Sequence, residues 1–189
     1  MPKPYHTTRY SFTGKRYSNS IAFTLHRDSV SRDLFDLLYS GTADERLRVA
    51  AMLHLSSESV VPFSKQLLSL LIDATQDRSP TIRQYAIICL GKSGDATAVP
   101  ALVSALQDPS NRLVSLYALS TLTGYPGIAI PAIIAIAANG TLYERREAIM
   151  ALAAYKQEAR AAIGLLRTLS ASGEASIRPV ARFALMKIE

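Results

Sequence analysis

Reactive side chains are few in this sequence, and their spacing does not assemble a catalytic site. Cys89 is the one cysteine, and no activating base stands at a spacing that would make it a nucleophile. His6, His26 and His54 are isolated, without a Cys, Asp or second His at metal-ligand spacing. His54 shares the small-residue helical position of Cys89, which favours packing for both. We therefore expect no catalytic residue, no metal site and no cofactor, although the residues alone do not decide the question of an enzyme.

A phosphate-binding loop is the other chemical motif that the sequence suggests. Gly91-Lys92-Ser93 resembles the end of such a loop, but Ala86 stands where the motif requires a glycine after a strand. Gly91 and Gly94 instead suit the end of a helix and the turn that follows it.

The composition predicts a chain that buries a core in a reducing compartment. Apolar residues make up 49% of the 189 residues, enough for a continuous core. Glycine and proline divide the longest uncharged run, residues 113–143, into pieces too short to cross a membrane. A single cysteine excludes an internal disulfide framework, and the first twenty residues lack the apolar stretch of a secretory signal. We expect a cytoplasmic protein with no membrane partner.

The formal charge of +6 lies almost entirely in the first residues of the chain. Residues 1–27 contain five basic residues and no acid, so they carry +5 of that total, and residues 28–189 are near neutral. Aromatic residues alternate with the basic ones in this stretch. We predict an N-terminal arm over residues 1–30 and a repeat domain over residues 31–189. The predicted contact residues of the arm are Lys3, Arg9, Tyr10, Phe12, Lys15, Arg16, Tyr17 and Arg27.

Three roles for the arm are compatible with its residues. Its aromatics could cap the first repeat or dock a protein partner. Its interleaved cations and aromatics could instead contact phosphates and stack on the bases of a nucleic acid. An acid-free start rich in Ser, Thr and Arg also suits an organelle-targeting segment.

A sequence pattern typical of a helical hairpin repeats five times along the chain. An alanine stands four residues before a leucine in each second helix, and the leucines follow one another at 35, 32, 30 and 33 residues. This period is typical of stacked helical hairpins. Proline near the first turn of a helix is predicted at Pro62, Pro100 and Pro131. The repeated alanines, which we expect to be buried, are Ala51, Ala86, Ala118, Ala148 and Ala181. The predicted hairpins pair 31–40 with 44–55, 62–74 with 80–91, 99–106 with 112–123, 131–138 with 142–155, and 158–170 with 176–188.

The pattern resembles the HEAT repeat family, most strongly over residues 82–102, and in particular its short bacterial, phycobilin-lyase-like form. The resemblance implies an all-α, right-handed solenoid of about five hairpins, preceded here by a non-helical arm. HEAT families commonly place an Asp six residues before an Arg, and such pairs stack into a ladder. Asp77 and Arg83 match that spacing, whereas Ser115 replaces the arginine in the third repeat, so an incomplete ladder is expected. The remaining arginines of this column are Arg48, Arg145 and Arg178.

The outward side of the second helices is more apolar than a solvated helix face should be. With Ala86 at the core, Gln84 and Ile88 point away from it, and the equivalent positions in the other repeats are mostly apolar. The resemblance implies that second helices line the concave surface, where such residues would form a groove for a protein partner. The alternative is that they contact neighbouring repeats. The predicted groove residues are Tyr85, Ile88, Leu116, Tyr117, Arg146, Met150 and Phe183.

The sequence favours a non-enzymatic scaffold or adaptor that binds a protein segment on this groove. A subunit of a phycobilin-lyase-like, chromophore-handling enzyme is the alternative that the resemblance implies. Nucleic-acid binding through the arm is a third. The oligomeric state is not fixed by any feature of the sequence.

Overall fold

The computed structural model describes residues 65–189, in which the chain forms eight α-helices and no strand. The predicted arm and the predicted first hairpin lie outside this range. Two 3₁₀ helices, Ala96–Ala98 and Lys156–Ala162, precede the third and seventh α-helices. The α-helices are α1 (Lys65–Ala74), α2 (Pro80–Lys92), α3 (Val99–Ala105), α4 (Arg112–Thr121), α5 (Pro126–Asn139), α6 (Leu142–Ala154), α7 (Ile163–Ser170) and α8 (Arg178–Ile188).

Successive helices pair into four hairpins that stack side by side. Each of α1, α3, α5 and α7 packs against the helix that follows it, and the second helices α2, α4, α6 and α8 pack against one another in that order. Helices α3 and α5 meet in the other layer. The predicted all-α solenoid is therefore confirmed.

The repeated alanines lie where the second helices meet. Ala86, Ala118, Ala148 and Ala181 are each at most 1% exposed, which confirms the prediction for the described repeats, while Ala51 lies outside them. A Cβ placed on Gly91 would come within 2.8 Å of the Ala118 Cα. Small residues are thus required because the backbones of α2 and α4 approach closely.

Helix α5, the first helix of the third described hairpin, begins earlier than predicted. It begins at Pro126, so Pro131 lies inside the helix and not in its first turn, which corrects the prediction for Pro131. Pro100 does stand in the first turn of α3. A proline at position 131 removes the helical hydrogen bond to the carbonyl of Gly127. Gly127 is exposed, so this bond is lost at the surface.

The last hairpin also starts differently from the prediction. The segment expected to begin a helix at Glu158 forms a 3₁₀ helix, in which Ala159 departs from helical dihedral angles, and α7 begins at Ile163. Ala159 and Ala162 are buried, so this segment nevertheless contributes to the core.

An ion-pair ladder joins each described hairpin to the next. Arg83 contacts Asp108 at 3.1 Å, and Arg145 contacts Glu174 at 2.8 Å. The gap expected at Ser115 is filled one helical turn earlier, because Arg112 contacts Glu144 at 2.8 Å. The same arginines donate to carbonyl oxygens of their own hairpins, namely those of Asp77, Leu106 and Ala137. Each arginine therefore holds its own turn and the next hairpin together.

Candidate partner-binding groove

A cleft of about 400 Å³ lies on the face formed by the second helices. Residues of α2, α4 and α6 line it. We call this cleft the groove. Its lining residues are Ile88, Lys92, Leu113, Val114, Tyr117, Tyr143 and Glu147.

Two tyrosines in the lining of the groove are more than half exposed. Tyr117 on α4 is 61% exposed and Tyr143 on α6 is 58% exposed. Leu113, one helical turn before Tyr117, is also exposed. Lys92 and Glu147 add one charge of each sign to the lining. The groove therefore offers aromatic and aliphatic surface together with hydroxyl, ammonium and carboxylate groups.

The start of α6 is fixed firmly, and this fixes Tyr143 in its first turn. The Thr141 hydroxyl accepts a hydrogen bond from the Glu144 backbone N–H, and the Glu144 carboxylate accepts one from the Thr141 N–H at 2.8 Å. This reciprocal pair is a capping box. The hydrogen bond from the Thr141 N–H, followed by those of the Thr141 side chain and Arg112, lowers the pKa of Glu144. Glu144 therefore stays ionised at neutral pH and anchors the helix that carries Tyr143.

The structure brings two of the predicted groove residues, Ile88 and Tyr117, into the lining. Arg146, Met150 and Phe183 are exposed on α6 and α8 but do not line the groove. Tyr85 is half-buried and lies outside the lining. Whether any of these residues binds a partner stays a prediction.

Leu116 was predicted to be accessible, and this prediction is wrong. Leu116 is 1% exposed and belongs to the continuous core. The equivalent residue of α2, Gln84, is half-buried, and its side chain donates to the Ser110 carbonyl in the next hairpin. The equivalent residue of α6, Arg146, is exposed, so this helical position is buried at Leu116 but open to solvent in α6.

The sequence prediction missed five lining residues, namely Lys92, Leu113, Val114, Tyr143 and Glu147. A signal for one of them was present. Leu113 lies four residues before Tyr117, a predicted groove residue, and so extends the same helix side by one turn.

The described residues offer little that could perform covalent or metal chemistry. Burial raises the pKa of the Cys89 thiol to about 12, against a smaller lowering by Lys92, so the thiolate is scarce at neutral pH. Between residues 65 and 189, no three His, Cys, Asp or Glu side chains cluster as metal ligands would. What the groove can provide is contact area and orienting polar groups.

Comparison with known proteins identifies the repeats. Residues 31–123 match the family model of HEAT repeats, which confirms the resemblance predicted from the sequence. The same hairpin stack continues through α5–α8 in the structure. No curated protein matched the sequence.

Solved structures share the fold at low sequence identity. The complex of CpcE and CpcF of phycocyanin lyase from Nostoc sp. PCC7120 superposes with a TM-score of 0.69 at 20% identity, over 93% of this chain and 70% of that chain. An engineered protein gives a TM-score of 0.61 at 18% identity, over 85% of this chain and 48% of its own. A second engineered protein gives a TM-score of 0.61 at 19% identity, over 84% of this chain and 78% of its own. At these identities the likeness is one of fold.

Two other sequence predictions concern membrane spans and the N-terminal arm. Within residues 65–189, no helix combines the length and the apolar character required to span a membrane. All predicted arm contacts, from Lys3 to Arg27, lie outside the described residues and stay predictions.

Proposed function

We propose that this protein is a non-enzymatic interaction scaffold that binds a segment of a protein partner in the groove between α2, α4 and α6. The exposure of Tyr117 and Tyr143, which line the same cleft from α4 and α6, is the observation that carries the proposal. A cytoplasmic location, inferred from the single cysteine, forms part of it.

Tyrosines of this kind suit protein recognition for a physical reason. A tyrosine places a large, rigid surface against a partner, loses little conformational entropy and still offers a hydroxyl for a hydrogen bond. Tyrosines are accordingly enriched among the residues that contribute most to protein interfaces. Lys92 and Glu147 at the groove would orient a segment by charge.

The scaffold role is also supported by the contacts that fix the helices lining the groove. The Arg112–Glu144 ion pair links α4 to α6, and the capping box at Thr141 holds the Glu144 carboxylate in place. A preorganised surface spends less free energy on ordering when a partner binds. Among the lining residues, no pair is arranged as nucleophile and base. Most of the lining residues are aromatic or aliphatic and offer contact area.

The proposal is tested by affinity capture from native extract. The variant Tyr117→Ser/Tyr143→Ser should capture its partner at least about tenfold more weakly than the wild type, because truncating central interface tyrosines commonly costs that much or more. Melting temperature should change little, since both side chains are more than half exposed. Nuclease treatment should leave capture intact.

A matched control is available at Tyr125, which is half-exposed and lies outside the groove lining. The change Tyr125→Ser should leave capture unchanged. Equal capture by all three proteins would refute the groove as the binding site. Capture that nuclease abolishes would support nucleic-acid binding instead.

A second candidate function is a subunit of a chromophore-handling lyase. The fold likeness to the CpcE and CpcF complex of phycocyanin lyase favours it. This candidate predicts that the purified protein, alone or with a second lyase subunit, changes the absorption spectrum of an added linear tetrapyrrole. An unchanged spectrum in both mixtures would count against it.

A further inference from the structure

The second helices carry a row of residues, spaced by four, that packs against the next hairpin. In α2 the row is Arg83, Ile87 and Gly91. Arg83 contacts Asp108 at 3.1 Å, and the Gly91 carbonyl accepts a hydrogen bond from the Thr121 hydroxyl at 2.9 Å, both in the next hairpin. Ile87 lies between them on the same side of the helix and is fully buried.

The same row is covered in the next two hairpins. Leu119 in α4 and Ile149 in α6 occupy the position of Ile87, and both are fully buried. Arg145 occupies the position of Arg83 and contacts Glu174 of the following hairpin. The middle of the row is therefore aliphatic and buried in three successive second helices.

Helix α8 departs from this pattern. Its row consists of Arg178, Arg182 and Met186, which are all exposed, and Met186 is 81% exposed. We call these three residues the outer face of α8. Arg182 stands where the earlier helices bury Ile or Leu. Another hairpin packed in the same way would bury its guanidinium, which is costly without a paired acid.

The charges around the outer face are not balanced within the described part of the chain. No ion pair between residues 65 and 189 involves Arg178 or Arg182. The two nearest acids in sequence are already engaged, since Glu174 contacts Arg145 and Glu189 contacts Arg167.

We propose that the outer face of α8 is a second docking surface, which binds an acidic helical segment of a partner protein. Arg178 holds the ladder position of Arg83 and Arg145, whose acidic partners lie in the next element along the stack. A carboxylate of the partner would continue the ladder at Arg178. The proposal does not depend on the groove, which involves α2, α4 and α6.

The geometry of the outer face specifies the partner further. Residues four apart on a helix are separated by about 6 Å along its axis, so Arg178 and Arg182 match two carboxylates that are also four residues apart on a helix. Met186, one turn further, offers a flexible apolar contact next to the charges. The segment should therefore carry two such acids with an apolar residue one turn away.

The test uses a short, fluorescently labelled helical peptide with two Glu residues four apart and a Leu one turn further, and a matched peptide with two Lys residues. Fluorescence anisotropy with the full-length protein should show binding of the acidic peptide that weakens as salt is raised. The variant Arg178→Glu/Arg182→Glu should weaken it by about tenfold or more and should bind the Lys peptide instead. Met186→Gln should weaken the acidic peptide by a smaller factor.

The control is Lys65→Glu/Arg78→Glu, which changes the formal charge equally at exposed residues of α1 and the following turn. It should bind the acidic peptide as the wild type does. Equal loss in both double variants, or failure of the Lys peptide to bind the reversed face, would overturn the proposal. Two other results would overturn it as well: wild-type self-association that Arg178→Glu/Arg182→Glu abolishes, and binding to phosphatidylserine vesicles without binding to the acidic peptide.

Discussion

Replacing Glu144 removes the most buried acid of the described ladder, and its effect on stability can be estimated from the contacts. One carboxylate oxygen accepts from Arg112 at 2.8 Å and the other from the Thr141 N–H at 2.8 Å, while Glu144 itself is 7% exposed. A hydrogen bond to a charged group contributes about 1.5–3 kcal/mol, and an N-terminal cap about 1 kcal/mol. Since Arg112 keeps its bond to the Leu106 carbonyl, part of its interaction survives.

We therefore expect Glu144→Ala to lower the free energy of unfolding by about 2–4 kcal/mol, and Glu144→Gln by about 1–2 kcal/mol, because the amide oxygen can still accept from Thr141. For a chain of this size, 1 kcal/mol corresponds to roughly 2–4 °C in melting temperature. Urea unfolding followed by circular dichroism measures both. Glu158→Gln, at an exposed residue, is the control and should change neither quantity.

The pH dependence provides a separate check. The pKa of Glu144 is lowered in the folded protein from its usual 4.5, so its contribution is complete above that value and is lost as pH falls through the folded pKa. The stability difference between wild type and Glu144→Gln should therefore shrink in acid. A difference that stays constant between pH 7 and pH 3, or equal effects of Ala and Gln at pH 7, would refute the reasoning.

Three further predictions concern packing, reactivity and the arm. Ala118→Leu should overpack the close contact with Gly91 and lower the free energy of unfolding by about 1–3 kcal/mol; unchanged melting would contradict the contact. Cys89 should resist a thiol reagent at pH 8 in the folded protein and react on unfolding, because it is buried and its pKa is raised to about 12; fast labelling of folded protein would contradict this. Deleting residues 1–27 takes the formal charge from +6 to +1 and should weaken partner binding as added salt does, whereas a large loss of melting temperature with salt-independent binding would identify the arm as a cap.

The hairpin stack could be predicted from sequence because one requirement recurs in every repeat that the structure describes. Close helix approach needs a small residue, and this requirement produces the alanine column that marks each second helix. The start of α5 was harder to predict, since Pro131 looks like a first-turn residue and its position inside the helix depends on an exposed Gly127.

The groove could be predicted only in part, because its composition depends on which helix sides face a neighbour. A single-helix projection treats the position of Leu116 as solvated, whereas Leu116 belongs to the continuous core. The rung between Arg112 and Glu144 was missed for a related reason. The arginine of this rung, Arg112, stands one helical turn before the expected position. The spacing between Asp77 and Arg83 lies within one hairpin, so it does not predict an ion pair between two hairpins.

Photo-crosslinking from within the groove tests the central claim most directly. The full-length protein carrying p-benzoylphenylalanine in place of Tyr143 should form a covalent adduct in native extract that protease removes and nuclease does not, and Tyr117→Ser in the same chain should greatly reduce its yield. The same photoreactive residue in place of Tyr125 should give little adduct. Equal adducts from both positions, or an adduct that nuclease removes, would contradict a protein-binding groove between α2, α4 and α6.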